Sequence, residues 1–124
     1  MQKINRRRIG AEKERLVCEW LEKKGYQILE RNFRCRMGEI DIVAREGGYL
    51  AFIEVKYRGD VSCGLPEEAV DRRKQKAISQ TALFYLRRYR YAETTPVRFD
   101  VAAVSDGAAV LYKNAFDFVG GGYY

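Results

Sequence analysis

The sequence predicts an α/β domain whose central mixed β-sheet, an antiparallel meander plus a parallel strand after a helical crossover, is flanked by helices. Three observations predict it. Apolar residues recur at helical spacing near the N-terminus and again after residue 66. Three alternating runs lie between these stretches, the second and third joined by Gly47 and Gly48. A further alternating run follows the second helical stretch. With 124 residues, 47% of them apolar, the chain can bury one core, and a single domain over residues 1–124 is expected.

Residues 9–24, "IGAEKERLVCEWLEKK", place Leu16, Val17, Trp20 and Leu21 on one helical stripe, and Gly25 suits the left-handed residue that ends a helix. "YQILERNFR" alternates, as do both halves of "GEIDIVAREGGYLAFIEVKYR" (38–58), which makes an antiparallel meander. Pro66 fits a first helical position, with Glu67 and Glu68 in the first turn. Val70, Ala77, Ile78, Thr81, Ala82, Tyr85, Leu86 and Tyr89 carry that helix onward. "VRFDVAAV" after Pro96 is a strand, and the long helix before it makes a parallel crossover the expected connection. "VLYKNAF" adds an edge strand. Residues 1–8 are expected to form a flexible basic arm and residues 119–124 a flexible tail.

Composition excludes many chemistries. The chain contains no histidine, so Ser-His-Asp hydrolases, Cys-His nucleophile pairs and His-ligated zinc sites are ruled out. It has neither a phosphate loop of the G-x-x-x-x-G-K-[ST] type nor a G-x-G-x-x-G fingerprint, so no nucleotide cofactor is expected. Cys18, Cys35 and Cys63 are too few and too scattered for a disulfide framework or a zinc knuckle. No apolar stretch reaches the length of a membrane span, and a cytoplasmic location is expected. The 23 Lys and Arg against 17 Asp and Glu give a net charge of +6, which favours a polyanionic partner.

The hairpin then poses its own question, because Glu39, Asp41, Glu54 and Lys56 interrupt two otherwise apolar strands. If the hairpin closes symmetrically about Gly47 and Gly48, opposed residue numbers sum to 95, Asp41 faces Glu54 and Glu39 faces Lys56. One face then carries Ile40, Ile42, Ala44, Ala51, Ile53, Val55 and Tyr57. The other carries Glu39, Asp41, Val43, Phe52, Glu54 and Lys56. Opposed carboxylates repel. Two arrangements would offset that: an ion-pair cluster in which Lys56 bridges Glu39 and Glu54, or a divalent cation held by carboxylates from two strands. The hairpin alone leaves both open. Glu14, at the border of the first helix's apolar stripe, is the helical acid best placed to reach the sheet.

Asp41, then Glu54-x-Lys56 on a neighbouring strand, with Glu14 on the preceding helix, resembles the PD-(D/E)xK nuclease superfamily, and within it the archaeal Holliday-junction resolvases. More closely, "YQILERNFRCRMGEIDIVA", "LAFIEVKYR", "RKQ" and "RFDV" resemble the YraN-like family of bacterial proteins, over residues 10–118. The sequence departs from the superfamily pattern in having "EID" where Pro-Asp gives the superfamily its name, and Lys13 where the close family often has Gly.

The resemblance implies a restriction-endonuclease-like fold and a metal-dependent DNA endonuclease that hydrolyses phosphodiester bonds, with branched or structured DNA as the expected substrate. It implies catalytic roles for Glu14, Asp41, Glu54 and Lys56, and one or two Mg²⁺ or Mn²⁺ ions held by Asp41, Glu54, the Val55 carbonyl and Glu14. Arg58, Arg72, Arg73, Lys74 and Lys76 are the expected phosphate contacts, with Arg6, Arg7 and Arg8 as an auxiliary arm. Homodimerisation is the one further assembly weighed. The competing reading is a nucleic-acid-binding or assembly module that keeps the sheet and does not cut.

Overall fold

The computed structural model describes residues 6–57, 70–105 and 108–120. Seven elements follow in order: α1 (Arg6–Lys23), β1 (Gln27–Cys35), β2 (Gly38–Glu46), β3 (Tyr49–Tyr57), α2 (Arg72–Arg88), β4 (Val97–Ser105) and β5 (Ala108–Phe116). The strands form one sheet in the order β1-β2-β3-β4-β5, antiparallel except for the parallel β3–β4 pair. This is the mixed α/β sheet expected, and it accords with a restriction-endonuclease-like fold.

Each helix covers one face of the sheet. Ile78, Ala82 and Tyr85 of α2 pack with Val43, Leu50, Phe52, Phe99 and Val101. Val17, Cys18 and Leu21 of α1 pack with Ile42, Ala44, Ala51, Ile53 and Ala102. Both hairpin faces are therefore core near the turn, where the sequence already placed Val43 and Phe52 on the second face; a strand with a helix on each side has no solvent face to keep polar. The α1 stripe is also rotated from the expected one. Leu16 is 52% exposed and Cys18 is buried, so the packed edge runs through Val17, Cys18 and Leu21.

The element ends show why they stop where they do. After α1, Gly25 adopts φ +99° and the Tyr26 N–H reaches back to the Leu21 carbonyl, closing the helix as expected. Gly47 and Gly48 both have positive φ, the two-residue turn whose twist matches a hairpin. Two starts differ from expectation. Arg6, Arg7 and Arg8 form the first turn of α1 rather than an arm, their side chains lying outside the described structure. α2 begins at Arg72, because Asp71 caps it by accepting the Lys74 N–H at 2.8 Å. Val70 is buried just ahead of this cap, and Pro66, Glu67 and Glu68 lie outside the described residues. Of the expected tail, Val119 is buried and donates its N–H to Ser79 Oγ at 2.9 Å; residues 121–124 lie outside the described residues.

α2 meets the start of β2 at Gly38. A Cβ there would stand 3.0 Å from Thr81 Oγ1 and 3.4 Å from Ala77 Cβ, and Thr81 is fully buried and bonded to the Ala77 carbonyl. Gly38→Ala should accordingly destabilise the fold by about 1–3 kcal/mol in denaturant titration. Gly47→Asn, at an open turn position with φ +58°, should stay within about 0.5 kcal/mol of the parent.

Candidate active site

The β2–β3 ladder follows the expected register, from Glu46 opposite Tyr49 to Ile42 opposite Ile53, where it stops. Asp41 is the next residue of β2, and its carboxylate accepts the Val55 N–H at 2.8 Å. A side chain thus takes the place of a backbone partner. Alternation slips at the same point: Ile40 packs on the α2 side and Ile42 on the α1 side, though they are two residues apart. In β1, Asn32 lies level with Asp41, between Arg31 opposite Ile42 and Phe33 opposite Ile40. Its left-handed backbone, φ +54°, lets Arg31 reach α1 while Phe33 faces α2.

The Asp41 carboxyl lies within hydrogen-bond reach of Glu54, which is 6% exposed on the centre strand. Burial first, and then the Asp41 charge, pushes the Glu54 carboxyl up to about 7. Burial also raises Asp41, opposed by the Val55 N–H and by its bond with Glu54. The two carboxyls titrate as a pair, both raised by burial and Glu54 raised further by the charge of Asp41.

The ion-pair cluster considered from sequence is not what the structure contains. Glu39 pairs with Arg34 at 2.9 Å, and among the described residues Lys56 forms no ion pair. Lys56 is half-buried near Glu54 and acts on it only as a nearby charge. The cation that reaches Glu54 is Lys74, at 3.8 Å, the outer limit of an ion pair. Sequence reasoning assigned Lys74 to a phosphate-binding surface. The N-cap at Asp71 sets the rotation of α2, and it points Lys74 toward the sheet.

Glu14 sits on α1 with its carboxylate accepting from Asn32 Nδ2 at 2.9 Å and Arg31 at 3.1 Å. Among the described residues no three acidic or cysteine side chains cluster to hold a metal, so Glu14 is held toward β1 rather than beside the pair. Tyr57 was missed from sequence. Burial, then the fields of Glu14 and Asp41, raise its phenol, so its hydroxyl lies within the field of both acids. Gln75 was quoted within "RKQ" without a role; it is buried at the start of α2, its amide donating to the Val70 carbonyl at 2.8 Å. Arg72, Arg73 and Lys76 are exposed on α2, Lys76 leaning toward Gly120, and Arg58 lies outside the described residues. Val55 contributes the N–H already noted.

The other deeply buried carboxylate makes a useful contrast. Asp100 accepts from Tyr26 Oη at 2.8 Å, from Arg98 at 2.9 and 3.0 Å, and from the Asn114 N–H at 2.9 Å. Arg98 also pairs with Glu46 at 2.9 Å. That carboxylate is saturated with donors, as a structural one should be. The Asp41–Glu54 pair is not.

A model of "Uncharacterised protein family UPF0102" matches residues 13–104. The chain belongs to this family. It is the family that the YraN-like motifs indicated. UPF0102 proteins similar to it include one from Lachnoclostridium phytofermentans, 52% identical over 94% of this chain and 99% of the relative. One from Syntrophus aciditrophicus is 46% identical over 92% of both chains. One from Caldanaerobacter subterraneus subsp. tengcongensis is 42% identical over 84% of both. The matched span contains Glu14, Asp41, Glu54, Lys56 and Lys74.

With no histidine in the chain, the raised carboxyls dominate titration between pH 5 and 7. Glu54 binds its proton more tightly when folded, so its stabilisation is complete below its unfolded value of 4.5 and is lost as pH rises through about 7. In metal-free buffer, stability should therefore fall across this window by on the order of 3 kcal/mol. Glu54→Gln, which keeps a donor toward Asp41, should flatten the profile. Lys74→Met should extend the decline to higher pH: the carboxylate loses its cation, and the measured Glu54 pKa, followed by carboxyl NMR, should rise. An unchanged Glu54 pKa would mean that Lys74 does not act on the pair.

Proposed function

We propose that the protein is a metal-dependent deoxyribonuclease acting on branched or otherwise structured DNA. The observation that carries this reading is the acidic pair at the centre of the sheet, where buried Glu54 stands beside Asp41 with the Val55 N–H on Asp41 and the Lys74 ammonium 3.8 Å from Glu54. Holding two adjacent carboxyls with so few donors is costly, and a hard divalent cation would discharge both at once. The donor set fits Mg²⁺ or Mn²⁺, which typically bind through one or two carboxylates and keep several waters. The saturated environment of Asp100 supports the contrast between a structural acid and a ligand.

In this reading Asp41 and Glu54 hold the ion, with the Val55 carbonyl as a further oxygen and Glu14 acting through water. When bound, the ion neutralises the scissile phosphate and lowers the pKa of its water. Lys56, on the same side of β3 as Glu54 by alternation, orients the attacking oxygen and stabilises the negative charge that develops on the phosphorus oxygens. Lys74 stands at Glu54 as the proton-state counterion and turns to the phosphate when the carboxylates are otherwise engaged. Arg58, Arg72, Arg73 and Lys76 contact the backbone without reading bases.

The test is cleavage of linear, flapped and four-way DNA in Mg²⁺ or Mn²⁺, beside melting temperature with and without the ion. Asp41→Asn and Glu54→Gln should abolish cleavage and the metal-dependent rise in melting temperature, and keep DNA binding. Lys56→Met should keep the metal response and cut about 100-fold more slowly or worse. Arg72→Gln with Arg73→Gln should flatten the salt dependence of binding by about one unit per lost contact. A parent protein that gains no stability from either ion and cuts none of these substrates would instead be a non-cleaving binding module.

A further inference from the structure

Beside the far end of α2 lies an open groove of about 760 Å³, between the C-terminal half of that helix and the β1–β2 turn. Its walls carry Phe84, Tyr89 and Met37, which are 39%, 47% and 44% exposed. Three large apolar side chains exposed in one groove are more than scattered surface residues and mark a place where something docks. The aromatic wall is ordered from within: Phe33 lies 6.2 Å from Phe84 and 6.5 Å from Tyr89, and Tyr89 packs 4.7 Å from Tyr85.

The same groove is cationic. Arg34, Arg36 and Arg88 line it against the single acid Glu30, which accepts from Tyr89 Oη at 3.3 Å. Arg34 is paired with Glu39, whereas among the described residues Arg36 and Arg88 have no acidic partner; Arg88 lies 5.7 Å from the Tyr89 ring centre. Exposed rings interleaved with guanidinium groups match one ligand chemistry well: unpaired nucleotides, whose bases stack on aromatic faces while their phosphates meet arginines. A duplex offers only its sugar-phosphate surface to such a wall. A second copy of this chain is disfavoured, because a two-fold interface sets a patch against itself and would face arginine with arginine.

The groove is also placed for use. Lys74, at Glu54, is in the first turn of α2, and Phe84 and Arg88 are in its last turns. At 1.5 Å per residue they lie roughly 15–20 Å apart along one helix. Between them α2 touches the sheet at Gly38. The geometry points to a subsite for an unpaired DNA strand at Phe84 and Tyr89, which would present the adjoining backbone to the acidic pair. This rests on the nucleic-acid reading above, and it names the feature of structured DNA that the protein recognises.

The test needs no cleavage. Binding of a thymidine oligonucleotide and of a blunt duplex with the same number of phosphates is measured by anisotropy in chelator, for the parent and for Phe84→Leu with Tyr89→Leu. Leucine keeps the apolar packing and removes the ring face, and an unchanged melting temperature checks the fold. The oligonucleotide should bind roughly 5-fold or more weakly to the double variant, with duplex affinity unchanged. Arg36→Gln with Arg88→Gln, which leaves the rings in place, should lower the single-strand salt slope by about 0.7 per lost phosphate contact. If both variants bind both DNAs like the parent, the groove is not a strand subsite and the nuclease reading stands without it. If the parent binds neither DNA, both readings fall. If the leucine variant only converts a dimeric parent to monomers, the groove is a self-interface and the inference is overturned.

Discussion

The centre strand β3 is enclosed on both faces by helical layers, and most of the protein's chemistry follows from that enclosure. Residues Leu50 to Ile53 are all fully buried and apolar, and at Glu54 a carboxyl enters the same environment. Little solvent reaches its charge, so its protonation and its partners are set largely by what the neighbouring elements bring. Asp41 arrives from β2, tied down by the Val55 amide where the hairpin ladder stops. Lys74 arrives from α2, rotated into place by the Asp71 cap. The acidic pair is a property of three elements meeting, and each is held by an identifiable local interaction.

The same sheet shows two ways of burying a carboxylate. Asp100 is surrounded by a phenol, a guanidinium and a backbone amide, and Arg98 is itself covered by Tyr26 and Tyr49, whose rings lie 5.8 and 5.2 Å away. That network ties β4 to Tyr26 just ahead of β1, to β2 through Glu46 and to β5 through Asn114. At Asp41 and Glu54 the donors among the described residues are the Val55 amide and the Lys74 ammonium at 3.8 Å. Unequal satisfaction of Asp100 and Glu54, both buried, separates a structural acid from one held ready for something else. Much of the excess positive charge lies on α2 and the β1–β2 turn, beside these acids and beyond them along the helix.

Much of the fold was legible because its signals are local. Gly47-Gly48 demands the hairpin turn, the register summing to 95 follows from it, and Gly25 stops α1 through its own backbone freedom. The α2 start was misplaced because Pro66 and its two glutamates form a good helix signal, while the cap that operates is Asp71. The α1 stripe was misread at Leu16, which is exposed, while packing selected Cys18 and kept Val17, Trp20 and Leu21. Of the site, Asp41 beside Glu54 could be read from register alone. Lys74, Tyr57 and Gln75 could not, because which side of a helix or strand meets the acids depends on rotations of a few tens of degrees that periodicity does not resolve.

By itself, then, the sequence determined the order of elements, the hairpin register, the absence of histidine chemistry and the opposition of two acids, since each depends on residues close along the chain or on counting. Tertiary structure alone decided which cation answers those acids and how strongly burial raises Glu54, as well as the placement of Glu14 at Arg31 and Asn32. Those outcomes depend on burial and on distances of a few ångströms between groups far apart in sequence. In a low-dielectric interior such distances set the energy of a charge, and no pattern along the chain contains them.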